Sequence, residues 1–277
     1  MINLDELIHK AQEMKPLPAS AIRLAALVSS EEIDLDDICE IIAYDQALTL
    51  GLLRAANSAA NAGVLPVTQV HEAVFRLGAP RILALALGTT AKGLLKQDAS
   101  AYGLSEGALW RHSVAAAAAA ETLSEFVSEP LPPETFTAAL LHDVGKLVMS
   151  RFLSARDIEM IQRAQTEGRL DPLAAEIEIL TVHHGELGGI IAQHWQLPER
   201  IVKGIIYHHT PADGNDLICD AVYVANIVAK LVEIAPPPAS LDDGAFSRLG
   251  LSKSELQQLT AATQSHFESV CARYNVV

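Results

Sequence analysis

Apolar residues recur every three or four positions along nearly the whole 277-residue chain and rarely alternate with polar ones. A period near 3.6 buries one face of a helix, whereas a half-buried strand needs a period of two. The pattern commits the chain to helices. Composition agrees: half the residues are hydrophobic but only 5% are aromatic, and alanine and leucine supply much of the apolar surface. Such a mixture favours helices over sheets.

Prolines, glycines and capping residues divide the pattern. After Pro16 and Pro18, Ser20 is expected to cap a helix with Ala21, Leu24, Ala25 and Val28 on one face. Asp34 caps the next, with Ile38, Ile41 and Ile42 inward. Asp45 opens a third, with Leu48, Leu52, Leu53 and Ala56 at helical spacing. Ala59–Pro66 reads as a loop broken by Gly63 and Pro66. Thr68 is expected to cap a helix carrying Val70, Ala73, Val74 and Leu77, closed by Gly78 and Pro80. Arg81–Leu95 follows, so apolar along Ile82–Leu87 that burial is expected. A polar hinge spans Lys96–Gly107. Beyond it the period predicts helices at Ala108–Val127, Pro133–Leu147, Asp157–Glu167, Asp171–Gln196, Pro198–His209 and Asn215–Ile234. Ala235–Ala239 contains consecutive prolines, which lack the amide donor a helix needs, so it reads as a surface linker. The last helix has a capping box from Ser252 and Glu255 and a staple from Leu251 and Leu256. Its apolar stripe is Leu256, Leu259, Phe267, Val270 and Tyr274.

Charge and cysteine usage narrow the functional classes. The net charge is −14. Binding a nucleic-acid backbone needs clustered Lys and Arg, so no nucleic-acid partner is expected. Cys39, Cys219 and Cys271 form no CxxC pair and read as reduced core residues. The acidic start Met1–Glu6 lacks a basic-then-apolar leader. The longest apolar run, Val114–Ala120, falls short of the roughly 20 residues that span a bilayer. A cytoplasmic protein without membrane contact is the expectation.

Histidines carry the chemical information. Ten occur, and seven fall between His112 and His209. His112 follows Trp110-Arg111 near a helix start. His142-Asp143 precedes Gly145-Lys146, His183-His184 precedes Gly185-Glu186, and His208-His209 precedes Thr210-Pro211. A lone histidine is more often a satisfied core residue. Four clusters, each beside a helix end, point instead to one shared pocket. Imidazole nitrogens with a carboxylate suit Fe, Mn, Zn or Mg. Adjacent His142 and Asp143 diverge by about 100° on a helix, so both reach one ion only where the helix end faces it. A wholly structural set would instead hydrogen-bond among itself and to backbone carbonyls.

The order His112, then Leu140-Leu141-His142-Asp143-Val144-Gly145-Lys146, resembles the HD superfamily of metal-dependent phosphohydrolases. Leu17-Pro18-Ala19-Ser20, Leu52–Ser58, Val70–Gly78, Leu109–Ser113 and Trp195–Pro198 resemble one branch more closely, the HDOD family or HD-related output domain. The resemblance covers roughly residues 10–232. It implies an all-α fold: an N-terminal helical layer packed on an HD-like helical core, with a C-terminal helix after the Pro-rich linker. The corresponding units are residues 1–97, 98–234 and 235–277. It also implies bacterial signal transduction, commonly with catalysis lost.

By the same resemblance His112, His142 and Asp143 match the first metal ligands and His184 the next. His208 and His209 match the paired histidines of the cyclic-dinucleotide-degrading HD-GYP branch. The closing aspartate is expected in Val224-Ala225-Asn226, where this chain has Asn226. An aspartate there would neutralise bound metal, whereas an amide offers only a neutral carbonyl. Asp220 lies about 120° away around the helix and is a poor substitute. Lys146 falls where active members hold substrate phosphate; its plainer reading is a solvated lysine. If the chain is an enzyme, Asp143 and Lys146 are the catalytic candidates.

The remaining candidates have plain readings. Glu186 is solvated or supports a ligand histidine, and His183 faces solvent or supports the site. His71 and His194 read as surface or amphipathic-core residues, Trp110 and Trp195 as packing anchors rather than substrate platforms, and Asn57-Ser58 as a cap and turn rather than a binding site. The expected function is regulatory, with a pocket for one or two divalent metals, weak or absent turnover, and a signalling protein or small phosphorylated ligand as partner. The competing expectation is a metal-dependent phosphohydrolase acting on a phosphomonoester, nucleotide or cyclic dinucleotide. The absence of a Gly-Tyr-Pro segment after His209 favours the first.

Overall fold

The helical period is realised along the chain. The structure, a computed structural model, describes residues 4–14, 17–30, 32–58, 66–95, 107–233, 241–252 and 254–274, and among them there is no strand. The expectations at 59–65, 96–106 and 235–239 lie outside the described residues.

Helix α1 (Leu4–Gln12) comes first, followed by α2 (Ala19–Val28), α3 (Leu35–Ala43), α4 (Gln46–Ala56), α5 (Val70–Leu77) and α6 (Ala79–Leu95). The last five form a layer in which α2 packs on α3 and α6, and α5 packs on α3, α4 and α6. Leu24, Ile38, Ile42, Leu52, Val74, Ile82 and Leu83 fill its interior. Asp34 and Asp45 cap as expected, accepting from Asp36 N at 2.8 Å and Leu48 N at 3.0 Å. Ser20 and Thr68 do not cap. Helix α2 starts right after Pro18, whose ring fixes φ for helix entry, and the Ser20 hydroxyl donates to Asp45 Oδ2 at 2.7 Å instead. Helix α5 starts after extended Gln69, without a side-chain cap. Asn57 closes a turn by exchanging hydrogen bonds with the Val67 backbone, both at 2.7 Å.

The second half holds α7 (Ala108–Leu123), α8 (Thr135–Leu141), α9 (Gly145–Phe152), α10 (Ala155–Thr166), α11 (Pro172–Leu180), α12 (His184–His194), α13 (Glu199–Ile206), α14 (Pro211–Gly214), α15 (Leu217–Val232), α16 (Asp243–Arg248) and α17 (Glu255–Tyr274). Helices α7 and α15 form its centre. Ala115–Ala120 are all buried, and their small side chains let α8, α15 and α17 pack closely on α7. Helix α15 is buried all round from Ile218 to Ala229, as a helix apolar on every face must be. Trp110 and Trp195 are buried packing anchors. The two halves join where α6 packs on α7 and α8, and where α1 packs on α9 and α12.

Two expected helices are each broken in two. Pro133–Leu147 divides into α8 and α9 around His142–Val144, and Asp171–Gln196 divides into α11 and α12 around Thr181–His183. Thr181 has φ 60°, a left-handed conformation rare for a β-branched residue, so period alone gave no warning of that break. The other expected helices end within about a turn of their assigned limits. In α17 the Glu255 carboxylate accepts from Ser252 N at 2.8 Å, but the Ser252 hydroxyl donates to the same oxygen at 2.7 Å, so half the expected capping box forms. Leu251 is buried and Leu256 packs partly buried on the core. Leu259 and Phe267 carry the inward stripe, Val270 is partly buried, and the Tyr274 side chain lies outside the described residues. Among the described residues no helix is long and apolar enough to cross a membrane.

Candidate metal centre

The two unforeseen helix breaks are what build the site. At the first, the chain leaves α8 in a tight turn, and His142 Nε2 comes to 3.4 Å from Asp143 Oδ2. Neighbours that would diverge on a continuous helix thereby face one spot. At the second, His183 caps α12, its Nδ1 accepting from Gly185 N at 3.1 Å, and His184 opens that helix. His208 and His209 follow the end of α13. His112 comes from the start of α7 and Asn226 from the middle of α15.

All seven expected metal-site residues meet here. His112 Nε2 lies 3.6 Å from Asp143 Oδ2 and 3.1 Å from Asn226 Oδ1. Asp143 Oδ1 lies 3.2 Å from His184 Nε2 and 3.8 Å from His208 Nε2. His184 Nε2 faces His208 Nε2 at 3.3 Å and His209 Nε2 at 3.0 Å. The donors fall into two groups, His112–His142–Asp143 and His184–His208–His209; within each, the donor atoms lie within 4.8 Å of one another.

Outer partners fix which ring nitrogen faces inward. His142 Nδ1 donates to Ala139 O and His208 Nδ1 to Ile205 O, each at 2.7 Å. His184 Nδ1 meets Glu176 Oε2 and His112 Nδ1 meets Glu233 Oε2, both at 2.7 Å. A carboxylate or carbonyl accepts only, so each of these nitrogens carries its proton, and it is Nε2 that each ring turns toward the cluster. Asn226 is then expected to turn its NH₂ toward His112 Nε2, since O and N of an amide are assigned from such contacts.

This donor set fits a divalent metal. His142 Nε2 and Asp143 Oδ1 are buried without a hydrogen-bond partner. Inward lone pairs of His184 and His208 face each other at 3.3 Å, an arrangement that needs a shared proton or cation between them. Mixed imidazole and carboxylate ligation suits Fe, Mn or Zn, with Mg the poorest match to nitrogen.

Electrostatics free most of the donors of protons, His184 excepted. Burial, reinforced by neighbouring histidines, holds His208 and His209 well below the ordinary imidazole range. Burial also lowers His142. Burial opposes the charged form of His184 too, but the Glu176 and Asp143 carboxylates outweigh it and raise that group. For Asp143 burial acts upward; His142 and Lys146 overcome it and hold the carboxyl well below its usual value. Lys146 Nζ donates to Asp143 Oδ2 at 2.7 Å, so it is an ion-pair partner at the rim rather than a solvated lysine. Lys230, half-buried on α15 one turn beyond Asn226, is held below the ordinary lysine value by burial, with the Asp143 charge acting upward and the Lys146 charge downward.

The lesser candidates resolve simply. Glu186 is exposed, and its carboxylate accepts from His183 N at 3.0 Å as a helix cap. His71 and His194 are exposed. Asp220 points away, bound to Arg248 on α16 with contacts down to 2.7 Å. Sequence reasoning missed Glu176, Lys230 and Glu233. Glu176 had a signal: it interrupts the inward stripe with Leu180, and a charge on a buried stripe needs a partner. A Glu176→Gln protein keeps an acceptor for His184 Nδ1 but loses the charge; zinc affinity is expected to fall by about tenfold or more, measured by calorimetry.

Known proteins share the fold that carries this cluster. The chain matches the HDOD domain over residues 14–211. A Marinobacter aquaeolei VT8 structure, provisionally assigned as a signal transduction protein, superposes with a TM-score of 0.75 at 21% identity, covering 100% of this chain and 61% of that one. An HDOD domain protein of unknown function from Geobacter sulfurreducens gives 0.68 at 22% identity, covering 95% of this chain and 99% of that one. An uncharacterized protein of Treponema pallidum (strain Nichols) is 24% identical over 266 residues, 94% of this chain. The chain spans about half the length of that relative, 51%. With the matched segment covering most of the sequence and the helical fold shared, this chain belongs to the HDOD domain family.

Proposed function

We propose that the protein is a regulatory HDOD module whose histidine–aspartate cluster is a metal-dependent pocket for a small phosphorylated ligand, with little or no turnover. The observation that carries this reading is Asn226 at 3.1 Å from His112 Nε2. A neutral amide stands where the HD resemblance calls for a carboxylate, which leaves Asp143 as the lone anion of the two donor groups. His112, His142 and Asp143 would hold one ion, and His184, His208 and His209 a second. Such an ion would supply positive charge for phosphate oxygens and, in a hydrolase, activation of water. The chain's own residues do the rest. Asp143 stays ionised, the outer carboxylates orient the imidazoles, and Lys146 presents a cation at the rim for a phosphate. The signalling role is in keeping with the provisional assignment of the Marinobacter protein, and a cytoplasmic location accords with Cys39, Cys219 and Cys271 forming no disulfide.

The test is elemental analysis of the purified protein, followed by assays on phosphomonoesters, nucleotides and cyclic dinucleotides with added Mn²⁺ or Fe²⁺. Bound metal and saturable ligand binding without turnover are expected. Turnover that vanishes in Asp143→Ala would replace the regulatory reading by the phosphohydrolase one, which the near-complete donor set favours. An Asn226→Asp protein is expected to bind Mn²⁺ at least about tenfold more tightly, the effect of ~1.4 kcal/mol of added attraction. An unchanged affinity would show that the amide is not the weak point of the site.

A further inference from the structure

Helix α17 lies beyond the stretch matched by the family, yet it touches the site through a short chain of contacts. The first link is the Glu233 carboxylate at the C-terminus of α15, 2.7 Å from His112 Nδ1. The second is Arg111 on α7, whose Nε lies 3.8 Å from the other Glu233 oxygen. The third is Phe267 on α17: the Arg111 guanidinium carbon sits 5.0 Å from its ring centroid, within cation–π range. Phe267 itself is fully buried between α17 and the core. Glu233 falls seven residues after Asn226, two helical turns on, so both lie on the face of α15 that meets His112.

We infer that Glu233 is a positioning residue which fixes His112 in the tautomer that aims Nε2 at the metal pocket, and that α17, through Phe267 and Arg111, holds Glu233 in place and so sets the affinity of the His112–His142–Asp143 pocket. An acceptor at Nδ1 makes that nitrogen the proton carrier and leaves the Nε2 lone pair for a ligand. Without it the proton is free to sit on Nε2, where it competes with the ion. This rests on the metal reading of the cluster.

The experiment is a Zn²⁺ titration of the full chain followed by ¹⁵N NMR of the imidazoles and by calorimetry. In the wild type His112 is expected as the Nδ1–H tautomer, with the Nε2 resonance shifting on Zn²⁺ addition. In Glu233→Ala both tautomers are expected, with affinity at this pocket about 10- to 100-fold lower. Glu233→Gln retains an acceptor oxygen and is expected to restore the tautomer. Phe267→Leu keeps apolar volume but removes the ring face, and is expected to weaken binding about two- to fivefold, the size of one exposed cation–π contact. A single His112 tautomer and unchanged Zn²⁺ affinity in Glu233→Ala, or an unchanged affinity in Phe267→Leu, overturns the inference. A folded wild type that takes up no Zn²⁺ removes the metal reading itself, and that failure is recognised before any variant is made.

Discussion

Asp143→Ala is expected to fold and to lose divalent-metal binding at both donor groups. The carboxylate lies within 3.2 to 3.8 Å of Nε2 atoms on His112, His142, His184 and His208, so it sits between the two groups rather than in one. Among the described residues it is also the one anion among the donors of either group. The expected loss exceeds about 100-fold in Mn²⁺ or Zn²⁺ affinity, beyond the range for losing an outer partner of a ligand. Stability without metal should change by no more than about 2 kcal/mol. The substitution removes a buried charge together with its desolvation cost, while Lys146, part exposed, can turn to water. Calorimetric titration with a thermal melt checks both. Affinity within about tenfold of wild type would mean that the imidazoles alone hold the ion.

Gly145→Ala is expected to be the most damaging small substitution. A Cβ at Gly145 would stand 1.9 Å from His184 O and 2.7 Å from Gly188 N. Both are backbone atoms of α12, so relief requires α9 to part from α12. That contact carries the site: the turn before α9 supplies His142 and Asp143, and the first turn of α12 supplies His184. The expected cost is about 3 kcal/mol or more, the upper range for overpacking, with metal affinity falling in parallel. Gly88 on α6 is the internal control, because a Cβ there meets nothing within 4 Å. Gly88→Ala should leave stability unchanged or raise it by ~0.5–1 kcal/mol. Denaturant unfolding of the two variants side by side gives the comparison. A Gly145→Ala protein within ~1 kcal/mol of wild type would show that α9 and α12 can separate freely.

Much of the architecture was legible because helix formation is written locally. The stripe Ile38, Ile41 and Ile42, the caps Asp34 and Asp45, and the alanine run of α7 each follow from spacing and side-chain size. The membership of the cluster was legible too, since His112, His142, Asp143, His184, His208, His209 and Asn226 come together in one place. The helix breaks after Leu141 and Leu180 were not. Residues on both sides continue the apolar period, and what stops each helix is a demand from elsewhere: the approach of α9 to α12 at Gly145, and the left-handed Thr181 that turns α12 toward α13.

The sequence by itself determined that the chain is helical, where most helices lie, and which imidazole and carboxylate side chains are the candidates for a shared cluster, because these depend on residues a few positions apart. The tertiary structure alone decided that adjacent His142 and Asp143 face one point, and that Glu176 and Glu233 orient His184 and His112. Those facts depend on distances between groups as far apart as His112 and Glu233, and no local pattern encodes a distance across the core.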